Sequence, residues 1–167
     1  MKTNVTTTGA TKIAFSVESL PPDLHAWLSE DYEMRWTTSP ADGTPPIKVP
    51  ASLTKTPDIQ AAAVALLPAA IEACKGPTVA HLRSWMDLLT LCRGAPSKEA
   101  TTGVAALFAG VLADIPAGAF TARTQRVAAQ KFDWFPSPAA VVNLLQDEIK
   151  EIRRAAAVLR YLASDAP

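Results

Sequence analysis

The chain has 167 residues, 49% of them hydrophobic, at a mean hydropathy of +0.11, which suits one domain with a buried core. Sixteen Lys/Arg stand against sixteen Asp/Glu, so the whole-molecule field that draws a basic protein onto nucleic acid is excluded, and any such contact has to be local. The balance shifts from five basic against seven acidic residues over 1–60 to seven against five over 116–167, which places a charged partner, if there is one, at the C-terminal third.

The opening Met-Lys-Thr-Asn-Val-Thr-Thr-Thr-Gly has no apolar leader core, and no later segment offers about 18 uninterrupted apolar residues. The expectation is a cytoplasmic protein without a membrane contact. Residues 1–12 are polar and without period, and Ile13 to Val17 reads as a short extended piece. Leu20-Pro21-Pro22-Asp23 is a helix entry, followed by Leu24, Trp27, Leu28 and Tyr32 at near-helical spacing, for one short helix ending near Trp36. Residues 37–50 hold four of the fourteen prolines and read as an extended linker. Residues 1–53 are thus expected to form an N-terminal arm, and residues 54–167 the main domain.

The main domain reads as consecutive helices. Thr56-Pro57-Asp58 is a cap with proline in the first turn, and the helix that it opens runs through Ile59, Ala63, Leu66, Leu67, Ala70 and Ile71. Pro68 is expected to kink it. Gly76-Pro77-Thr78 stops it and starts a second helix, through Val79, Leu82, Met86, Leu89 and Cys92, to Gly94. After Ala95-Pro96-Ser97, a third carries Val104, Leu107, Phe108, Val111 and Leu112 on one stripe. Pro116 ends it and begins a fourth, with Phe120, Val127 and Ala128 inward and Arg123, Arg126 and Gln130 outward. Cys74 and Cys92 fall among aliphatic neighbours and read as two buried thiols of a reducing compartment.

Phe132, Trp134 and Phe135 form an aromatic plug between helices, and Ser137-Pro138 repeats the cap-plus-proline signature for a fifth helix. There Val142, Leu145, Ile149, Ile152, Ala156, Leu159 and Ala163 recur at steps of three and four, a heptad-like seam. The seam needs a neighbour, either an earlier helix of the same chain or the same helix of a second copy. Asp147 with Lys150 and Glu151 with Arg154 are spaced for surface pairing. No strand alternation is visible beyond residue 18. The fold class expected is all-α, a bundle of about five helices behind a proline-rich arm.

Sequence patterns for phosphate cradling, dinucleotide binding, zinc proteolysis or a serine nucleophile are absent. His25 and His81 do not accompany such a set, and the acid pairs Asp147/Glu148 and Glu148/Glu151 sit where a solvated helix carries charge. No catalytic, cofactor-binding or metal-binding residue is expected, and the protein reads as non-enzymatic. One cluster has a binding character: Arg123, Arg126 and Lys131 beside Trp134 and Phe135, where cations and rings together suit a partner protein or single-stranded nucleic acid.

Asp114-Ile115-Pro116, a helix-length stretch, and then Trp134-Phe135-Pro136-Ser137-Pro138-Ala139 resemble a pattern of small helical phage and prophage proteins, in which an LP helix start leads to (W/F)-F-P-T-P-A-E-L and a further helix. The resemblance covers residues 112–146, with Ala140 where the pattern has an acid. Some of those proteins are replication accessories of the helicase-loader or loader-inhibitor type. The resemblance therefore implies an adaptor that binds a protein in DNA replication. The alternatives are a self-associating structural or virion-assembly protein, built as a homo-oligomer on the seam Val142, Leu145, Ile149, Ile152 and Leu159, and an enzyme with an unfamiliar site.

Overall fold

The computed structural model describes residues 15–37, 45–92 and 98–164. Among them are a 3-10 turn at Val17–Ser19, α1 (Pro22–Leu28), the strands β1 (Met34–Trp36) and β2 (Lys48–Pro50), and then α2 (Pro57–Cys74), α3 (Val79–Cys92) and α4 (Lys98–Val111). A second 3-10 turn at Ala117–Ala119 leads to α5 (Ala122–Lys131), α6 (Pro138–Leu144) and α7 (Gln146–Ala163). The fold is all-α, with seven described helices rather than about five plus one in the arm. The expected last helix is two, because Leu145 leaves helical geometry at φ −92°, ψ 4° while its N–H bonds to the carbonyls of Val141 and Val142. Neither proline nor glycine marks that break.

The caps form where the sequence puts them. Thr56 Oγ1 accepts from the N–H of Ile59 at 3.3 Å, Ser137 Oγ from that of Ala140 at 3.3 Å, and each satisfies an orphan donor of a first turn. Helix α2 continues through Pro68 as one element. Pro68 lies on the exposed side, where the carbonyl deprived of its helical partner is that of Val64 and faces water.

Helices α2 and α7 run antiparallel as the central pair. Near the start of α2, the Lys55 ammonium and the Gln60 amide donate to the carbonyl of Ser164 at the end of α7, closing part of that terminus. Near its other end, Cys74 Sγ lies 3.9 Å from the carbonyl of Ile152. The buried face of α2 is small, Ala63, Ala70 and Ala73, which lets α7 approach with Ile149, Ile152, Ala155, Ala156, Leu159 and Leu162, all buried. The seam's neighbour is thus an earlier helix of the same chain. Leu145, Ile149, Ile152 and Leu159 are at most 6% exposed and Val142 is half-buried, so the chain's own side chains occupy the surface on which a homo-oligomer was expected.

Two expectations for residues 19–50 are corrected: where the first helix ends, and that no strand follows residue 18. The helix does not reach Trp36 but stops at Leu28, and Met34–Trp36 pairs antiparallel with Lys48–Pro50, Arg35 opposite Val49. Thr37 extends the ladder, exchanging bonds with Ile47 through both its backbone N–H (2.9 Å) and its Oγ1 (3.0 Å). Strands of three residues, one ending in a proline without a donor, are too short to show alternation. The arm is also packed onto the bundle: Phe15, Leu20, Leu24, Trp27 and Val49 join one hydrophobic core with the helices, and Trp27 meets Tyr161 at 6.2 Å. Of the expected extended piece, Ser16 is extended at φ −136°, ψ 139°, and Val17 already begins a 3-10 turn, while its first two residues lie with the rest of 1–14 outside the described residues. So do residues 93–97, where the end of α3 and the start of α4 were expected.

The face of α4 is also rotated from expectation. Ala105, Phe108 and Leu112 are buried, but Leu107 is 65% and Val111 60% exposed. In α5 it is Thr124 and Ala128 that turn inward, and Val127 is 44% exposed. Tertiary packing selects one arc of an apolar helix that has more than one to offer.

Between α4 and α5 runs a buried connector, Pro116 to Phe120. The N–H of Ala117 donates to the carbonyl of Lys75 at 2.7 Å, and Arg153 Nη2 to that of Asp114 at 2.7 Å. Gly76 faces the same chain so closely that a Cβ would fall on the carbonyl oxygen of Ala113 and lie 3.0 Å from its carbonyl carbon. Backbone is on the other side, so neither can give way cheaply. Gly76→Ala is expected to destabilise the protein by about 1–3 kcal/mol, the usual range for overpacking that moves backbone. Urea unfolding at an unchanged m-value measures this, and an unaltered midpoint would refute the close approach.

Candidate functional site

The expected cluster starts on α5, opened by a reciprocal cap in which Thr121 and Thr124 each accept from the other's backbone N–H. This helix is fixed to α3 by polar bonds. Thr124 Oγ1, in a residue 3% exposed, donates to the carbonyl of Ala119 at 2.8 Å and accepts from Trp85 Nε1 at 3.2 Å. The Gln125 amide donates to the carbonyls of Ser84 and Trp85 at 3.1 and 2.8 Å. Trp85 also meets Phe120 edge to face at 5.4 Å. Thr124 and Gln125 escaped the sequence reading because Thr and Gln read as ordinary helix-surface residues until Trp85 is placed opposite.

Arg123 and Arg126 of the expected cluster have partners of their own. Arg123, in the first turn of α5, points to α7 and the 3-10 turn, with Nη2 on the Glu148 carboxylate and Nε 3.5 Å from Glu18. Arg126 Nε donates within its own helix to the carbonyl of Ala122 at 3.3 Å. Trp134 is 11 residues beyond Arg123 in the chain, in the loop that follows α5. Phe135 is half-buried against Phe108 of α4, ring centroids 6.1 Å apart, and Phe132 is half-buried too. Trp134 is 82% exposed. It is therefore not part of the plug, and Phe132 and Phe135 pack without it. Lys131 is exposed at the end of α5.

Beside Arg123 an open groove of about 370 Å³ lies between the N-terminal segment and α7, lined among others by Glu18, His25, Arg123, Glu151 and Arg154. Its charges are opposed. Arg154 pairs with Glu30 at 3.1 Å, not with Glu151 as its spacing suggested, while Asp147 and Lys150 do meet at 3.9 Å. Nε and Nη2 of Arg154 are buried without a partner. Two guanidiniums among four carboxylates give no surplus of positive charge to hold an anion.

Among the described residues no three His, Cys, Asp or Glu gather about a point that could hold a metal. Cys74 is half-buried, and burial raises its thiol pKa against the opposing pull of Arg153 and Arg160. The side chain of Cys92 lies outside the described residues. His81 meets Phe120 edge to face at 6.2 Å, and burial lowers its pKa, opposed by the carbonyls of Phe120 and Ala117. Its Nε2 is buried without a hydrogen bond.

No protein-family model matches the chain, and neither curated proteins nor solved structures give a match.

Replacing Thr124 with Val keeps the shape but leaves the Trp85 indole N–H without its acceptor. The expected loss is about 1–3 kcal/mol, read by denaturant unfolding; an unchanged midpoint would count against the α3–α5 bond. His81 makes a second prediction. Its folded pKa lies below the unfolded one, so between pH 7.5 and 5.5 the unfolded chain takes up the proton more readily, and stability falls as pH falls. Wild type is expected to lose more melting temperature across that window than His81→Gln, and parallel profiles would remove the role of His81.

Proposed function

We propose that this protein is a helical adaptor that binds another protein, with Trp134 and the outer side of α4 as the docking face. The observation that carries the reading is the 82% exposure of Trp134 on a loop whose other rings are tucked in. The Phe135–Phe108 contact lays that loop along the helix that shows Leu107 and Val111 to solvent. Large apolar groups gathered in one region mark interaction surfaces more often than isolated ones do, and tryptophan is the residue most enriched among binding hot spots.

A single-strand nucleic-acid site has less support. Of its three cations, Arg123 is paired with two carboxylates, and Arg126 bonds within its own helix. The context is carried by the resemblance of residues 112–146, which includes the Trp134 loop and makes a replicative helicase or an initiator the partner to try first.

Binding of the host's purified replicative helicase or initiator, followed by interferometry, tests this. Trp134→Ala is expected to weaken the complex about 30-fold, the effect of losing a hot spot of about 2 kcal/mol, with an unchanged melting temperature because the ring supports nothing in the fold. Equal affinity of wild type and variant, or no complex with either protein, would overturn the reading. Salt-dependent binding of a single-stranded oligonucleotide, lost in Lys131→Ala and Arg126→Ala, would replace it with the nucleic-acid reading.

A further inference from the structure

Helix α2 is apolar on both sides, and the chain covers only one. Over its 18 residues the mean hydropathy is 1.2, enough by length and composition to cross a membrane, yet only 17% of it is buried. Ala63, Ala70 and Ala73 face α7. At about 100° per residue, Ala61, Val64, Ala65, Pro68 and Ile71 fall on the opposite side, and all five are exposed, Val64 at 52% and Ile71 at 38%. No charge interrupts this stripe. Asp58 stands at one end, and Glu72 and Lys75, paired at 2.5 Å, stand at the other.

We infer that this stripe is the interface of a reversible homodimer, in which α2 packs antiparallel against α2 of a second copy. The charges at the ends choose the partner and the direction. Antiparallel pairing about a two-fold axis between Leu66 and Leu67 sets Asp58 of each copy near Lys75 of the other, so that each lysine bridges two carboxylates. Parallel pairing would put Asp58 beside Asp58 and Lys75 beside Lys75. Ala61, Ala65 and Pro68 are short enough for the helices to approach closely, while Val64 and Ile71 flank the contact. A two-fold contact of this kind is self-complementary and closes at two copies. Its area is small, since a helix about 27 Å long and about 10 Å wide covers much less than the ~800 Å² per partner of a standard interface. Covering the free carbonyl of Val64 weakens it further. The dimer is therefore concentration-dependent.

This inference is independent of the Trp134 face. Sedimentation equilibrium on the full chain over a wide concentration range tests it. The wild-type average mass should rise from one chain towards two. Ala65→Glu, at an exposed position next to the two-fold axis, should hold the mass at one chain with an unaltered circular-dichroism melt. Lys75→Glu should raise the dissociation constant at least about tenfold, and Lys75→Glu with Asp58→Lys should recover most of that, a recovery that general loss of fold does not produce. A wild type of one-chain mass at every concentration would overturn the inference, as would a dimer indifferent to Ala65→Glu. Monomeric wild type that floats with phosphatidylcholine vesicles, when Ala65→Glu does not, would overturn it too and assign the stripe to lipid.

Discussion

The buried connector from Pro116 to Phe120 is the constraint on which the rest of the structure depends. A backbone without regular structure cannot be buried unless its polar groups are satisfied. Here the satisfying groups come from several elements at once: the carbonyl of Lys75 after α2 accepts from Ala117, and Thr124 of α5 donates to Ala119. Just before it, Arg153 of α7 donates to Asp114. Gly118 lies within reach of both central helices, since a Cβ there would stand 3.0 Å from Ala73 and 3.1 Å from Ile152. One short segment thereby sets how α2, α5 and α7 stand to one another, and His81 and Trp85 of α3 close over Phe120.

That junction explains why the central pair is built from small residues on one side. With the connector wedged near their ends, α2 and α7 have room for contact only if one face is nearly flat, and alanines at 63, 70 and 73 supply it. The larger side chains of α7 then fill the space, and the N-terminal segment packs across the same helix through Trp27 and Tyr161, with Arg35 Nη2 3.5 Å from the Tyr161 hydroxyl. Covered from both directions, α7 is sealed. The most regular stripe in the sequence is therefore the least available for a partner.

What was legible in the sequence was local. The caps at Thr56 and Ser137, the stop at Gly76-Pro77 and the long apolar period of α7 rest on interactions within a few residues, and each formed. What was not legible depends on groups distant in the chain. Trp85 on α3 and Trp134 on the loop after α5 are the same residue type, yet one finds the Thr124 hydroxyl and is 4% exposed while the other is 82% exposed. Arg154 was paired with Glu151 by spacing but reaches Glu30, 124 positions away. Arg123, grouped with Trp134 by its place in the sequence, is engaged by Glu18 and Glu148, both distant from it in the chain.

The distribution of polarity that results bears on function more than any single residue. The guanidiniums of the groove are engaged by carboxylates, so they tie down the N-terminal segment and leave no surplus positive charge to steer an anion. Apolar groups, by contrast, are exposed in several places, among them the outer side of α2 and the side of α4 with the Trp134 loop. Nothing in the packing requires them to be apolar: polar side chains at Val64, Leu107 or Trp134 would fold the same core and lower the risk of aggregation. A surface that retains such groups, while its groove guanidiniums are engaged by carboxylates, is suited to recognition in which apolar burial supplies the affinity and charges at the margin set orientation.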